Sequence, residues 1–146
     1  MAKKLRLLFL CTGNSCRSQM AEGFARRLKA AELEAHSAGI EARGLDPRAV
    51  KVMAEAGADI SQQRSKTISE LKGATFDYVI TLCDHAHESC PLFPGGTKVV
   101  HAGFDDPPRL AAQAPTEEAA LAHYRRVRDE IRAFVAELPQ RLEKMR

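Results

Sequence analysis

Residues 5–10 read Leu-Arg-Leu-Leu-Phe-Leu, five apolar side chains in six. So continuous a run fits a strand buried on both faces, the kind found in parallel sheets covered by helices. A polar loop containing Gly13 follows. From Arg17 the apolar residues recur at helical spacing, with Met20, Ala21, Phe24, Ala25, Leu28 and Ala31 on one face. Residues 34–38 form a weaker strand candidate. Asp46-Pro47 reads as an N-cap followed by proline at the first helical position; Val50, Met53 and Ala54 continue that helix and Gly57 can end it. Residues 67–72 suggest a short helix, 77–82 a second clear strand and 98–101 a third. Thr116 opens a long helix with Glu117 and Glu118 in its first turn. Its buried stripe is Leu121, Tyr124, Val127, Ile131, Val135 and Leu138, and Pro139 marks its end. Strands alternating with helices predict a three-layer α/β arrangement with a parallel sheet covered on both sides. Residues 1–146 read as a single domain, with no internal repeat or linker. The loosest stretch is 86–98, which holds Pro91, Pro94, Gly95 and Gly96.

Size and charge exclude several function classes. A chain of 146 residues with 45% hydrophobic residues can bury a real core, which should be aliphatic because tryptophan is absent. The formal net charge of +3 is scattered, and the short cluster of Arg125, Arg126 and Arg128 reads as the solvated face of a helix. A nucleic-acid partner would call for a concentrated basic stripe, so none is expected. No stretch approaches the roughly 20 apolar residues of a membrane span. The amino-terminal apolar run is short, interrupted by Arg6, and not followed by a small-residue cleavage site, which argues against export. A cytoplasmic location is therefore expected. There Cys11, Cys16, Cys83 and Cys90 start as thiols. Grouped cysteines in that compartment more often serve catalysis or metal binding than structural cross-links.

The most informative segment is Cys11-Thr12-Gly13-Asn14-Ser15-Cys16-Arg17-Ser18. Cysteine and arginine flank five residues between a strand and a helix. A loop that short, wrapped on an anion, turns successive backbone N–H groups inward at a helix N-terminus. Gly13 allows the backbone angles of the wrap. Arg17 can offer two parallel N–H groups to an oxyanion. The same positive field is expected to lower the pKa of Cys11, and Ser18 could donate a hydrogen bond to its sulfur. Residues 12–18 are thus the predicted oxyanion cradle and Cys11 the predicted nucleophile. The Gly-Lys-Ser/Thr ending of a nucleotide P-loop is missing. Cys16 reads as structural, facing away from the anion.

Sites in open α/β sheets form beyond the carboxyl ends of the strands. Cys11, Cys83 and the pair Asp105-Asp106 each lie just past a strand, so three distant parts of the chain converge on one sheet edge. Were 83–90 helical throughout, Cys83 and Cys90 would have Cα atoms about 10.5 Å apart. A disulfide needs roughly 4.4–6.8 Å, so bonding them requires that segment to loop or unwind. Cys90 also reads as an incidental thiol, and Cys83, Asp84, His85, His87 and Cys90 as zinc ligands, although their spacing matches no familiar zinc pattern. Asp105-Asp106-Pro107-Pro108 reads either as a turn or as the carrier of a general acid over the anion site.

Several segments together resemble the thioredoxin-coupled arsenate reductases, relatives of the low-molecular-weight tyrosine phosphatases. They are residues 11–23, Ser37-Ala38-Gly39-Ile40, Thr81-Leu82-Cys83, Cys90-Pro91, Gly103-Phe104-Asp105-Asp106-Pro107 and Arg126-Val127-Arg128-Asp129-Glu130. The resemblance spans nearly the whole chain. It implies a flavodoxin-like fold with a four-stranded parallel sheet flanked by helices. It also implies that Cys11 attacks arsenate, Arg17 steadies the oxyanion and Asp106, rather than Asp105, protonates the leaving oxygen. Cys83 then attacks Cys11, arsenite leaves, Cys90 attacks Cys83, and thioredoxin reduces the Cys83–Cys90 disulfide. No cofactor and no resident metal are expected. Some relatives hold potassium near positions matching Asn14, Glu22 and Ser37, with an aspartate at the position of Lys66; here an ammonium group stands in that place.

Two other functions compete. A low-molecular-weight protein tyrosine phosphatase would use Cys11, Arg17 and Asp106 similarly. Such enzymes usually place an aromatic after Asp-Pro, where this chain has Pro108 and Arg109, and they have no need of Cys83 and Cys90. Arsenate and phosphate share shape and charge, so a weak phosphatase side activity is expected. A thiol-based metal or arsenite sensor would lack turnover, and no DNA-reading segment supports it.

Overall fold

The structure, a computed structural model, describes residues 4–71, 73–91, 93 and 96–145. Four strands form one parallel sheet: β1 (Leu5–Cys11), β2 (Leu33–Gly39), β3 (Tyr78–Thr81) and β4 (Lys98–His101), in the order β2-β1-β3-β4. Helices flank it, giving the expected α/β flavodoxin-like arrangement: α1 (Arg17–Leu28), α2 (Pro47–Glu55), α3 (Asp84–Glu88), α4 (Pro107–Ala111), α5 (Glu117–Ala136) and α6 (Gln140–Lys144). Leu7, Leu8, Phe9 and Leu10 are fully buried, as a central strand covered on both faces requires. Helix α1 packs on β2 and α5, while α3 packs on β1 and β3.

The register decides where the chemistry falls. Leu10 pairs with Thr81, and Thr81 with His101, so β1, β3 and β4 end level with one another. The residues that follow each strand therefore emerge side by side, at the carboxyl edge where ligands bind in open sheets.

The caps follow the expected chemistry. The Asp46 side chain accepts from the Arg48 N–H with Pro47 behind it, Thr116 accepts from the Ala119 N–H, and Gly57 adopts φ +82 after α2. All six residues of the predicted α5 stripe are buried. Other expectations need correction. Helix α1 stops at Leu28, which is exposed, so Leu28 and Ala31 do not continue its core face. Val50, Met53 and Ala54 do lie in α2, where Ala49, Val52 and Met53 are the buried residues and Val50 is partly buried against the core. The short helix of 67–72 is a 3₁₀ turn over Ile68–Leu71, with Lys72 outside the described residues. The proline pair after Asp106 opens α4 rather than forming only a turn, and α6 follows Pro139. Helix α4 uses proline's preset backbone angle at its first positions, while Pro139 is the N-cap of α6. Pro94 and Gly95 of the predicted loose stretch lie outside the described residues.

Candidate active site

Cys11 ends β1, and the loop behind it is shaped from outside. The N–H groups of Ile40, Glu41, Arg43 and Asp46 donate to the carbonyls of Cys11, Thr12, Gly13 and Ser15, at 2.8–3.1 Å. With its carbonyls turned outward, the loop presents its N–H groups to the interior of the curve. Among the described residues, no protein acceptor receives the N–H of Gly13, Asn14, Ser15 or Cys16. Those groups are the donors an oxyanion needs. Sequence reasoning missed the contribution of residues 40–46, because one backbone zipped onto another leaves no side-chain signature.

Asn14 holds the turn. It is fully buried at φ 49, a left-handed conformation that asparagine tolerates better than most residues. Its amide nitrogen donates to Ser18 Oγ (2.8 Å) and Ser37 Oγ (3.0 Å), and its Oδ1 accepts from Gln19 Nε2 (3.0 Å) and the Lys66 N–H (2.8 Å). The Asn14 side chain is thus committed to shaping the loop, and its backbone N–H is what it has left to offer a ligand. Since Ser18 Oγ accepts from Asn14, its own proton is free for Cys11 Sγ, 2.9 Å away. That is the contact expected of Ser18.

Arg17 is buried beneath the loop. It donates to the Phe104 carbonyl (3.1 Å), and its second nitrogen lies 3.7 Å from Asp106 Oδ2. Asp106 occupies the N-cap position of α4 yet makes no capping bond, so its carboxylate is left to face the pocket. Asp105 instead pairs with Arg126 at 3.1 Å on the surface. A cavity of about 170 Å³ is lined by Cys11, Thr12, Gly13, Cys16, Arg17, Arg43, Asp106 and Pro108, among others. It lies below the size of a typical drug-like pocket and suits a small ligand.

Cys83 caps α3 outside this pocket, next to Thr12 of its wall. Its sulfur lies 3.2 Å from Thr12 Oγ1 and accepts from the Ala86 N–H at 3.4 Å. A larger open cavity of about 480 Å³ joins Thr12, Arg17, Cys83 and Asp106. Cys11, Arg17, Cys83 and Asp106 are thus brought together. Cys90 stands beyond α3, half-buried, with its thiol on the Pro91 carbonyl at 3.6 Å. All four cysteines are free, and burial pushes the Cys16 and Cys90 thiols up. Cys16 is buried as expected, yet it forms part of the pocket wall. Cys83, Asp84, His85, His87 and Cys90 do not gather as ligands: no group of three or more His, Cys, Asp and Glu able to hold a metal occurs among the described residues.

The residues matching the potassium positions of some relatives are engaged with one another. Ser37 accepts from Asn14 and donates to Glu22 Oε1, Glu22 Oε2 pairs with Arg26 at 2.7 Å, and Asn14 Oδ1 already takes two N–H groups. Each of these oxygens thus already has a protein partner. The Lys66 ammonium lies on the Arg64 carbonyl at 3.2 Å; burial lowers its pKa while Glu22 opposes the shift. No helix among the described residues is long and apolar enough to cross a membrane.

Known proteins share this architecture and sequence. Arsenate reductases of Halalkalibacterium halodurans and Bacillus subtilis are 51% and 54% identical, over 90% and 86% of this chain and 91% and 88% of theirs. A solved arsenate reductase in its phosphate-binding state superposes with a TM-score of 0.72 at 31% identity, covering 99% of this chain and all of that one. Residues 6–146 match the low molecular weight phosphotyrosine protein phosphatases, the family to which this chain belongs.

Proposed function

We propose that this protein reduces arsenate to arsenite by a thiol–disulfide cascade through Cys11, Cys83 and Cys90, serves arsenic detoxification, and is regenerated by thioredoxin. The observation that carries the reading is a second thiol, Cys83, at the lip of the Cys11 loop and hydrogen-bonded to Thr12. A phosphatase needs no such group. The identity of about half to curated arsenate reductases over most of the chain supports the same substrate.

Arsenate enters the cradle of N–H groups above Arg17. The Cys11 thiolate, hydrogen-bonded by Ser18, attacks arsenic. One arsenate oxygen leaves as water after Asp106 delivers a proton, giving a Cys11–arsenic(V) adduct. The Cys83 thiolate then attacks the Cys11 sulfur. The sulfur–arsenic electron pair stays on arsenic, which departs as arsenite, and a Cys11–Cys83 disulfide remains. Cys90 attacks Cys83 once α3 unwinds, releasing Cys11 as a thiolate. The resulting Cys83–Cys90 disulfide takes two electrons from a dithiol, and thioredoxin supplies one.

The test combines arsenate, thioredoxin, thioredoxin reductase and NADPH, alongside p-nitrophenyl phosphate as a generic phosphatase substrate. Arsenate-dependent NADPH oxidation that requires thioredoxin is expected. Phosphate-ester turnover without it would replace this reading by a tyrosine phosphatase.

A further inference from the structure

We infer that Arg43 is a specificity-determining residue of the pocket, a rim cation that captures free dianionic tetrahedral oxyanions and narrows the mouth against bulky phosphate esters; this rests on reading residues 11–18 as an oxyanion cradle. Arg43 lies in the pocket wall with Cys11, Arg17, Asp106 and Pro108. Its own backbone places it there. The Arg43 N–H donates to the Gly13 carbonyl at 2.9 Å. Its methylene stem then runs across Gly13, so close that a Cβ at Gly13 would sit 2.7 Å from Arg43 Cδ and 3.1 Å from Cγ. A larger residue at Gly13 would have to displace the Arg43 stem; the left-handed backbone angle of the loop falls on Asn14 and not on Gly13, where the wrap was expected to need it.

The two arginines of the pocket are held in opposite ways. Arg17 is buried and fixed by the Phe104 carbonyl and Asp106. Arg43 has a side chain 58% exposed, restrained at Nε by Glu41 at 2.9 Å, and that carboxylate is itself 60% exposed. An ion pair so open to water is weak and exchanges readily. An entering dianion therefore competes with Glu41 for the Arg43 guanidinium, a group suited to oxyanions. The charge assists capture, so its loss should fall on KM. The stem crowds the mouth, so its loss should favour esters relative to free anions.

Glu41 gives the inference a signed test. Binding of inorganic phosphate is measured by calorimetry for the unmodified protein, Arg43→Ala, Arg43→Lys and Glu41→Gln, with arsenate kinetics beside it. Arg43→Ala should weaken phosphate binding and raise the KM for arsenate about threefold to fivefold, the worth of an exposed charge contact. Arg43→Lys should recover part of that, and the effect should shrink in high salt. Glu41→Gln should tighten phosphate, because it releases the guanidinium. Arg43→Ala should also hydrolyse p-nitrophenyl phosphate better relative to its phosphate affinity. Phosphate binding indifferent to position 43 overturns the inference alone. So does weakening by Glu41→Gln equal to that of Arg43→Ala, since the pair would then only brace the loop. Absence of phosphate binding by the unmodified protein overturns the cradle reading and this inference with it.

Discussion

Residues 11–18 and residues 83–97 both carry cysteines, but they are held by opposite means. The first stretch has its carbonyls bonded to residues 40–46, its turn fixed by four side-chain hydrogen bonds of Asn14, and its arginine locked from the β4–α4 side. Among the described residues of the second, side-chain contacts lie on α3 and at Phe93. Thr81 Oγ1 meets His87 Nδ1 at 3.1 Å and His101 Nδ1 at 2.8 Å, with His101 Nε2 3.2 Å from the exposed Asp84. At the far end Phe93 packs edge-on against Phe76. The first of these contacts belong to α3 itself, a helix of five residues whose Ala86 is buried and whose first cap is the Cys83 sulfur. In the proposed cascade, a bond from that sulfur to Cys11 would disturb this cap just when Cys90 attacks. A site that recognises a small anion has to be rigid, whereas a segment that carries oxidising equivalents outward has to open at low cost.

The strongest way to break this contrast is to remove the cysteines one at a time. Cys11→Ser should abolish all reaction with arsenate, because a hydroxyl ionises far less readily than a thiol. Cys83→Ser should also stop arsenite release. Cys90→Ser should release about one arsenite per enzyme and stall with Cys11 bonded to Cys83, in a pocket thioredoxin reaches poorly. Mass spectrometry of alkylated digests locates the bond; in the unmodified protein oxidised by arsenate without thioredoxin it should join Cys83 to Cys90. Multiple turnover by Cys90→Ser with thioredoxin would show that the 83–97 segment does not act as a shuttle.

Next in size is the acid. Asp106→Asn should slow formation of the Cys11 adduct by about 10²–10⁴. Asp105, paired with Arg126 on the surface, should matter much less. Single-turnover rates decide it, and a larger loss at Asp105 would reverse the assignment.

These two stretches were also unequally legible in the sequence. Cys11, Arg17, Ser18 and the aspartates could be read because each chemistry-bearing side chain follows a recognisable strand, and strand ends align in a parallel sheet. The clamp on the loop could not be read. It is made by main-chain groups of residues 40–46, and hydrogen bonds of that kind do not depend on which side chains are present. Arg43 therefore carried no sequence signal of its place in the pocket wall. Short helices α4 and α6 escaped because two proline-led turns carry too few residues for a period to show.

Stability measurements sharpen the comparison further. A Cβ at Gly39 would strike the Glu41 carbonyl and sit 2.7 Å from Asn14 N and 2.8 Å from Thr12 O, all backbone atoms of the clamp. Gly39→Ala should cost about 1–3 kcal/mol, as overpacking does. Gly96, in the second stretch, meets no described residue within reach of a Cβ but has φ +79, so Gly96→Ala should cost about 1 kcal/mol through backbone strain. Denaturant unfolding measures both. A Gly96 loss equal to that of Gly39 would mean the redox segment is as tightly built as the cradle.

The smallest expected effect concerns cations beneath the rigid stretch. Lys66 pins Asn14 through its main-chain N–H, while its ammonium, half-buried on the Arg64 carbonyl, brings positive charge toward Glu22. The oxygens that could receive potassium are bonded already, with Ser37 on Glu22 and Arg26 closing the other carboxylate oxygen. Activity and melting temperature should therefore be the same in sodium and potassium salts at equal ionic strength. Lys66→Ala keeps the main-chain bond to Asn14 and removes only the ammonium. If that charge is what makes the cation unnecessary, potassium should begin to raise the melting temperature of the variant, by about 2–4 °C for each kcal/mol of binding gained. A potassium-specific gain in the unmodified protein would mean that Ser37 and Glu22 open to admit the ion, and the cradle's support would then be less rigid than its hydrogen bonds suggest.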